Sequence, residues 1–352
     1  MTPELHDRLR PIGFNHAVAQ TYAALEATGE LMRVVGVHRD VVELHDGERA
    51  LRAPLRPALA RDLGARNEQL AVGDWVLATH ERDGSLWVAE RMAPQTQIVR
   101  RTSEGARQCL VSNVDTALLV MGLDGDFNLR RLERYLALVR SAGVWPVVVL
   151  TKLDVSPSAD ARVDETRQRI PSDVPILALD ARQPTAAAEL AGYLTAGQTL
   201  VALGSSGAGK STLTNTLLGR AEQATGAVRA DDSRGRHTTT VRSLHRLPGG
   251  ACIIDTPGLR GLRADTDEDG LNASFADIVA LAESCRFRDC QHSGEPGCAV
   301  QAAVQPDRLA NFHKMLREIR RETMTVLDRR KQLAEWKARS RGAEERMKLK
   351  RG

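Results

Sequence analysis

The sequence predicts an α/β chain in three parts: a small N-terminal β-barrel, a central P-loop domain on a parallel sheet, and a C-terminal helical module that binds a metal. Three observations carry this prediction. Short β-rich runs alternate with turn signals between Leu31 and Arg101. From about Val111 the texture changes to continuous apolar runs separated by helical patterns, as in a parallel sheet covered on both faces. Beyond Leu271 the chain reads as helical, with one interruption rich in Cys, Gly and Pro. The expected divisions are 1–30 as a helical lead-in, 31–101 as the barrel, 102–264 as the P-loop domain, and 265–352 as the helical module with a basic tail.

Composition narrows the setting. The 352 residues, 42% hydrophobic and 27% charged, are those of an ordinary globular chain long enough for two or three domains. No run of 18 apolar residues is present, which excludes a helical membrane span, and Met1 to Arg10 lacks the apolar stretch of a signal peptide. Five cysteines, three of them bunched late, do not make a disulfide framework. A cytoplasmic location is expected.

In the barrel, Met32 to Val37, Val41 to Leu44 and Trp75 to Ala78 read as strands, with turns at Asp46-Gly47, Val72-Gly73-Asp74 and Asp83-Gly84. About five such strands make a small barrel. In the next part Thr116 to Met121, Trp145 to Leu150, Pro175 to Leu179 and Thr199 to Leu203 read as buried strands, and Leu132, Leu136 and Val139 recur at helical spacing. The net charge of +4 hides an asymmetry: from Lys314 onward fourteen Lys/Arg face six Asp/Glu, so this segment carries +8 and the rest −4. Such a tail is a solvated helix or an arm for a polyanion.

Only seven of the 49 basic residues are lysine, and only Lys152 and Lys210 precede position 314. A compact ammonium suits a tight phosphate loop where a planar guanidinium does not, so these two positions are singled out for chemistry.

Gly204-Ser205-Ser206-Gly207-Ala208-Gly209-Lys210-Ser211 fits GxxxxGK[ST], follows an apolar strand and opens a helix that continues through Thr212. Its backbone N–H groups and helix N-terminus cradle phosphates, Lys210 reaches the β- and γ-phosphates, and Ser211 ligates Mg²⁺. An apolar strand ends in Asp255-Thr256-Pro257-Gly258, a DxxG about 45 residues later. Asp255 is expected to hold Mg²⁺ through water, and the Gly258 N–H to sense the γ-phosphate. Between the two motifs lies a polar segment with Arg236-His237-Thr238-Thr239-Thr240. One of its threonines completes the Mg²⁺ shell, Thr239 being preferred.

A guanine-reading NKxD motif is absent after Gly258, but Thr151-Lys152-Leu153-Asp154 stands directly after an upstream apolar strand. Asp154 would accept from the guanine N1–H and amino group, with Lys152 packed over the base. Thr151 replaces the usual Asn, so guanine selectivity is expected to relax somewhat. The motif order, TKLD before P-loop before DxxG, is that of a circularly permuted GTPase. A P-loop ATPase or kinase of another class would require TKLD to be coincidental. Further on, Cys285, Cys290, His292 and Cys298 form C-x4-C-x-H-x5-C, a closed Cys₃His set for one structural Zn²⁺. Cys109 and Cys252, in or beside strands, are expected to be packing residues.

Together the barrel with Val72-Gly73-Asp74-Trp75-Val76, the permuted motifs and the cysteine pattern resemble the RsgA (YjeQ) family of bacterial GTPases of late small-subunit ribosome maturation. Ser112-Asn113-Val114-Asp115 and Gly235-Arg236-His237-Thr238-Thr239 also look like family signatures, and the resemblance covers nearly the whole chain. It implies an OB-fold touching ribosomal RNA, GTP hydrolysis stimulated by the small subunit, and release once GTP is spent. The implied partners are the small ribosomal subunit with its rRNA and GTP/GDP, with no membrane and a monomeric chain. Leu259 stands where many GTPases carry a water-orienting Gln, and the resemblance implies His237 as its catalytic substitute. Leu179-Asp180-Ala181 departs from the family's Ser-Ala guanine loop: a carboxylate near guanine O6 is unfavourable unless it points away. The functional expectation is a small-subunit-stimulated GTPase acting as a maturation checkpoint, the alternative a GTP-sensing rRNA-binding factor with incidental turnover.

Overall fold

The computed structural model describes residues 2–25, 28–39, 41–102, 106–219, 242–256 and 263–323. The chain divides into two compact units, Met1–Val279 and Ala280–Gly352. In the first, α1 (Pro3–Leu9) and α2 (His16–Ala23) precede the barrel strands β1 (Glu30–Val37), β2 (Val42–His45), β3 (Ala50–Ala53), β4 (Trp75–His80) and β5 (Leu86–Arg91), with α3 (Pro57–Ala65) between β3 and β4. β1 pairs with both β2 and β4, β2 with β3, and β4 with β5, all antiparallel. The ring is joined by one parallel bridge after β3: Arg56 N–H donates to Val88 O (2.9 Å) and Val88 N–H to Pro54 O (3.0 Å). That is an OB-type order, held together at this point by a bridge and not by a full ladder.

Alternation gives β1 and β4 two buried faces. Met32, Val34, Val76 and Ala78 point into the barrel with Val42, Leu44, Leu59 and Val88. Leu31, Trp75 and Leu77 point the other way, onto Leu9, Ile12, Phe14 and Val18 of the lead-in. The first thirty residues therefore cover the outer face of the barrel.

The central sheet adds β8 (Thr116–Gly122), β9 (Trp145–Thr151), β10 (Ile176–Ala178), β11 (Thr199–Leu203), β12 (Ser243–Arg246) and β13 (Cys252–Asp255). Its order is β10-β9-β8-β11-β13-β12, parallel except for β12. A single pairing, Gly36 with Ser243, carries the sheet on into β1 of the barrel. Leu118 and Val120 face the side of α6 (Thr185–Glu189) and α7 (Lys210–Leu218), while Ala117 and Leu119 face the side of α4 (Leu129–Ser141) and α5 (Ala159–Arg169). α4 and α5 are tied by a buried bidentate pair, Arg169 Nε to Glu133 Oε1 at 2.7 Å and NH2 to Oε2 at 3.0 Å. Glu133→Leu leaves the Arg169 charge buried and is expected to cost about 3–5 kcal/mol, read from the urea midpoint; a loss under about 1 kcal/mol would contradict this.

Two expected boundaries differ from the observed packing. Position 101 falls inside a hairpin of β6 (Gln97–Arg101) and β7 (Arg107–Ser112), which with β14 (Arg263–Ala264) forms a separate three-stranded sheet. Position 265 falls before α8 (Glu268–Ser274), which packs on α4: Asp267 Oδ1 accepts from Ser141 Oγ (2.8 Å) and Ala273 O from Arg140 NH1 (2.7 Å). The division comes within α9 (Ala276–Ala282) instead. The second unit holds the cysteine-rich loop, α10 (Ala299–Ala303) and α11 (Pro306–Thr323), with Val300, Leu309, Phe312, Met315 and Ile319 buried.

Of the segments that look like signatures, 72–76 and 112–115 serve as a seam within the first unit, and 235–239 lies outside the described residues. Gly73 has φ +97, and a Cβ there would stand 2.0 Å from Ser112 O, so the turn before Asp74 needs glycine. Asp74 accepts from Ala71 N–H (2.8 Å) and Arg91 NH2 (3.0 Å). Asn113, at φ +52, donates to Gly73 O (3.0 Å), and Asp115 accepts from Thr199 N–H (2.7 Å) and Asn15 Nδ2 (3.0 Å). Cys252 is fully buried, whereas Cys109 is half-buried and hydrogen-bonded to Gln97 Nε2 and Val111 O.

Candidate functional site

β11 runs into Gly204–Gly209 and then α7, the strand–loop–helix context expected of a phosphate loop. Lys210 is only 6% exposed, and its Nζ donates to Gly204 O (3.0 Å) and Ser205 O (2.7 Å). Burial pulls its pKa down, opposed by the nearby carboxylates of Asp255 and Asp126. Ser211 and Thr212 follow in the first turn of α7, half-buried. Asp255 ends β13, in register with Ala202 of β11. Its Oδ1 is buried with no hydrogen-bond partner among the described residues. A buried carboxylate oxygen left bare beside the P-loop lysine is the hard donor that a Mg²⁺ shell uses. Thr256 Oγ1 donates to Ala202 O (2.7 Å), which fixes the end of that strand.

The segment 151–154, expected to read the base, stands directly against this loop. Thr151 is fully buried at the end of β9, and its Oγ1 donates to Ala208 O at 2.6 Å. Gly209 (φ +96) is the residue just before α7, and a Cβ there would meet Thr151 Oγ1 at 3.0 Å, so glycine permits the approach. Lys152 adopts φ +63 and pairs with Asp124 (2.8 Å). Leu153 is exposed. Asp154 Oδ2 accepts from Arg182 NH2 at 2.5 Å. Thr151→Val keeps the shape but strands a buried carbonyl, and is expected to weaken GDP binding roughly tenfold. Titration with a fluorescent GDP analogue tests this, and unchanged affinity would mean the contact does not position the loop.

Four residues of this site escaped the sequence reading: Asp124, Asp126, Arg131 and Arg182. Asp126 accepts from Ser205 Oγ (2.5 Å) and Arg131 NH2 (2.6 Å), which anchors the P-loop from the loop after β8. The available signal was Asp124-Gly125-Asp126 directly after a fully buried strand, since ligand crevices open at the carboxyl ends of parallel strands. His237, Thr239 and Gly258, with Leu259, lie outside the described residues.

In the second unit, Cys285, Cys290, His292 and Cys298 bring four ligand atoms within 4.8 Å of one another. Cys285 Sγ lies 3.9 Å from Cys298 Sγ and 3.7 Å from His292 Nδ1, and Cys298 Sγ lies 3.4 Å from that nitrogen. Tetrahedral zinc with Zn–S of about 2.3 Å requires ligand separations of about 3.8 Å, so the set fits such an ion. The surrounding backbone prepares it. N–H groups of Val300 and Ala299 lower the Cys285 pKa, His292 sits at φ +55, and Glu295 accepts from Ser293 N–H (2.7 Å) and Gln291 N–H (2.9 Å) on either side of it. Those N–H bonds hold the Glu295 carboxyl down at about 2.

Residues 92–265 match the family model of the RsgA GTPase. The chain is 46% identical over 312 residues to the small ribosomal subunit biogenesis GTPase RsgA of Xylella fastidiosa strain 9a5c, covering 86% of this chain and 89% of the relative. The RsgA of Xanthomonas oryzae pv. oryzae strain PXO99A is 45% identical over 296 residues, covering 82% and 80%. The crystal structure of YjeQ from Thermotoga maritima superposes with a TM-score of 0.60 at 25% identity, covering 82% of this chain and 98% of that one. YloQ, a circularly permuted GTPase, shares the fold with a TM-score of 0.58 at 20% identity, covering 86% and 99%. No helix among the described residues is long and apolar enough to cross a membrane. At 45–46% identity over most of its length, the chain belongs to the RsgA family of small ribosomal subunit biogenesis GTPases and is a GTP hydrolase.

Proposed function

We propose that the small ribosomal subunit stimulates this chain's GTP hydrolysis, and that turnover acts as a checkpoint late in that subunit's maturation. The observation carrying the nucleotide half is the 2.6 Å bond from Thr151 to Ala208, which fastens the base-reading strand end to the phosphate loop. Gly204 to Thr212 cradle the phosphates, and Lys210 exchanges the carbonyls of Gly204 and Ser205 for phosphate oxygens. Asp154 reads guanine while Lys152 covers it. Ser211, Asp255 and Thr239 serve the Mg²⁺, which when bound offsets charge developing on the phosphate oxygens. Gly258 senses the γ-phosphate.

Leu259 has no polar group with which to orient water, so unstimulated turnover is slow and His237 acts once the particle places it. The barrel and the basic segment from Lys314 meet rRNA through backbone phosphates, and Cys285, Cys290, His292 and Cys298 hold one structural Zn²⁺. Phosphate release from GTP and from ATP, with and without purified small subunits, tests the reading. A large GTP-selective stimulation, lost in His237→Ala, is the expected result. Turnover that ignores the subunit would sink it.

A further inference from the structure

We propose that Arg182 is an intramolecular mimic of guanine: its guanidinium occupies the base-reading carboxylate of Asp154 when no nucleotide is bound, Asp180 holds it there, and guanine must displace it. This rests on the reading of Asp154 as the guanine acceptor.

The chemistry of the two ligands is the same. The edge of guanine that a carboxylate reads, N1–H, C2 and the N2 amino group, is itself a guanidine unit, and arginine presents that unit to carboxylates as a planar fork. Arg182 NH2 lies 2.5 Å from Asp154 Oδ2. The fork itself, Nε with that same NH2, is seated on Asp180, with Nε at 3.1 Å from Oδ1 and NH2 at 3.1 Å from Oδ2, so Asp154 receives the guanidinium through NH2 alone. The Arg182 backbone N–H also donates to Asp180 Oδ1 (3.0 Å). These bonds hold the Asp180 carboxyl below its ordinary range.

The departure from a Ser-Ala loop is thus built into a device. Asp180 is not a bare carboxylate facing O6, because it is neutralised by Arg182 two residues on. Arg182 in turn is held near Asp154, where it competes with the base. Such competition lowers apparent GDP affinity by the fraction of chains whose carboxylate is occupied. The pair is exposed, with Arg182 at 63%, so the competition is modest and is screened by salt.

The test is GDP binding to the full chain by fluorescence titration at about 50 mM and 500 mM KCl. Removing anchor and mimic together, Asp180→Ser with Arg182→Ala, is expected to tighten GDP roughly three- to fivefold at low salt. The gain should shrink toward none at high salt and be absent for ADP. Arg182→Ala alone should gain less, because it leaves Asp180 unpaired beside the base, and Arg182→Lys should fall between, since an ammonium lacks the planar fork. GDP affinity unchanged or weaker in the double variant at low salt, or a gain that ignores salt, overturns the proposal. Asp154→Asn separates the two failures. If it exchanges GDP for xanthosine diphosphate while the double variant gains nothing, the mimic alone is wrong. If it keeps GDP, the reading of Asp154 falls and the mimic with it.

Discussion

Cys298→Ser, or stripping the ion with a chelator, is expected to unfold the second unit of the full chain. That unit has a small apolar core, Val300, Val304, Leu309, Phe312, Met315 and Ile319, and α10 is a single short turn of helix begun at Cys298. So few apolar contacts cannot offset the ordering entropy of the loop between Cys285 and Cys298. Structural zinc contributes about 10–16 kcal/mol to such modules, far more than any other interaction available to it. Metal analysis should give one zinc per chain in the parent and none in the variant. Hydrogen exchange should show α10 and α11 losing protection while β8, β9 and β11 keep theirs. Full protection in α10 and α11 without zinc would refute a structural ion.

Arg33→Met is expected to destabilise the first unit by about 3–5 kcal/mol, the cost of breaking a buried charge network on one side. Arg33 is fully buried under Trp75, with its guanidinium 5.2 Å from the ring. It donates to Ile12 O of the lead-in (2.5 Å), Gly73 O of the barrel (3.3 Å), and Asn113 O (2.9 Å) and Thr199 Oγ1 (2.8 Å) of the central domain. Burial pulls its pKa down, while Cys252, Asp115 and Asp74 oppose that shift. Methionine fills much of the volume but leaves the Ile12 and Asn113 carbonyls without the guanidinium and takes away the cation facing Asp115. Urea denaturation should show a lower midpoint, and Arg33→Lys should recover part of the loss through its charge. A loss under about 1 kcal/mol would mean that water replaces the guanidinium without penalty.

Much of the site is legible in the chain because its chemistry is local. The phosphate loop needs glycines, a lysine and a helix start within eight residues, and the three Cys and one His that could hold a metal ion run only from Cys285 to Cys298. The buried parallel strands declare themselves as apolar runs, and Thr151 to Asp154 is marked by one of the two early lysines. Asp126 had only its place just after a buried strand, and Arg182 had no mark at all. Asp126 meets Ser205 across 79 positions and Arg182 meets Asp154 across 28, so neither pairing has a local pattern. The boundary expected at 265 moved for a similar reason, since α8 reads like any other polar helix and only its packing on α4 assigns it to the first unit.

Spacing, periodicity and residue type are properties of neighbouring positions, so the motifs, their permuted order, the β-then-α/β-then-helical succession and the family can be read from the chain alone. What the lead-in covers, why Gly73, Asp74 and Asn113 look like signatures, and what holds the Asp180 charge emerge from the folded chain. Each depends on a contact between groups far apart in the chain. Arg33 shows this most plainly: by sequence it is one more arginine in an arginine-rich chain, and by burial it becomes the charge that joins lead-in, barrel and GTPase sheet.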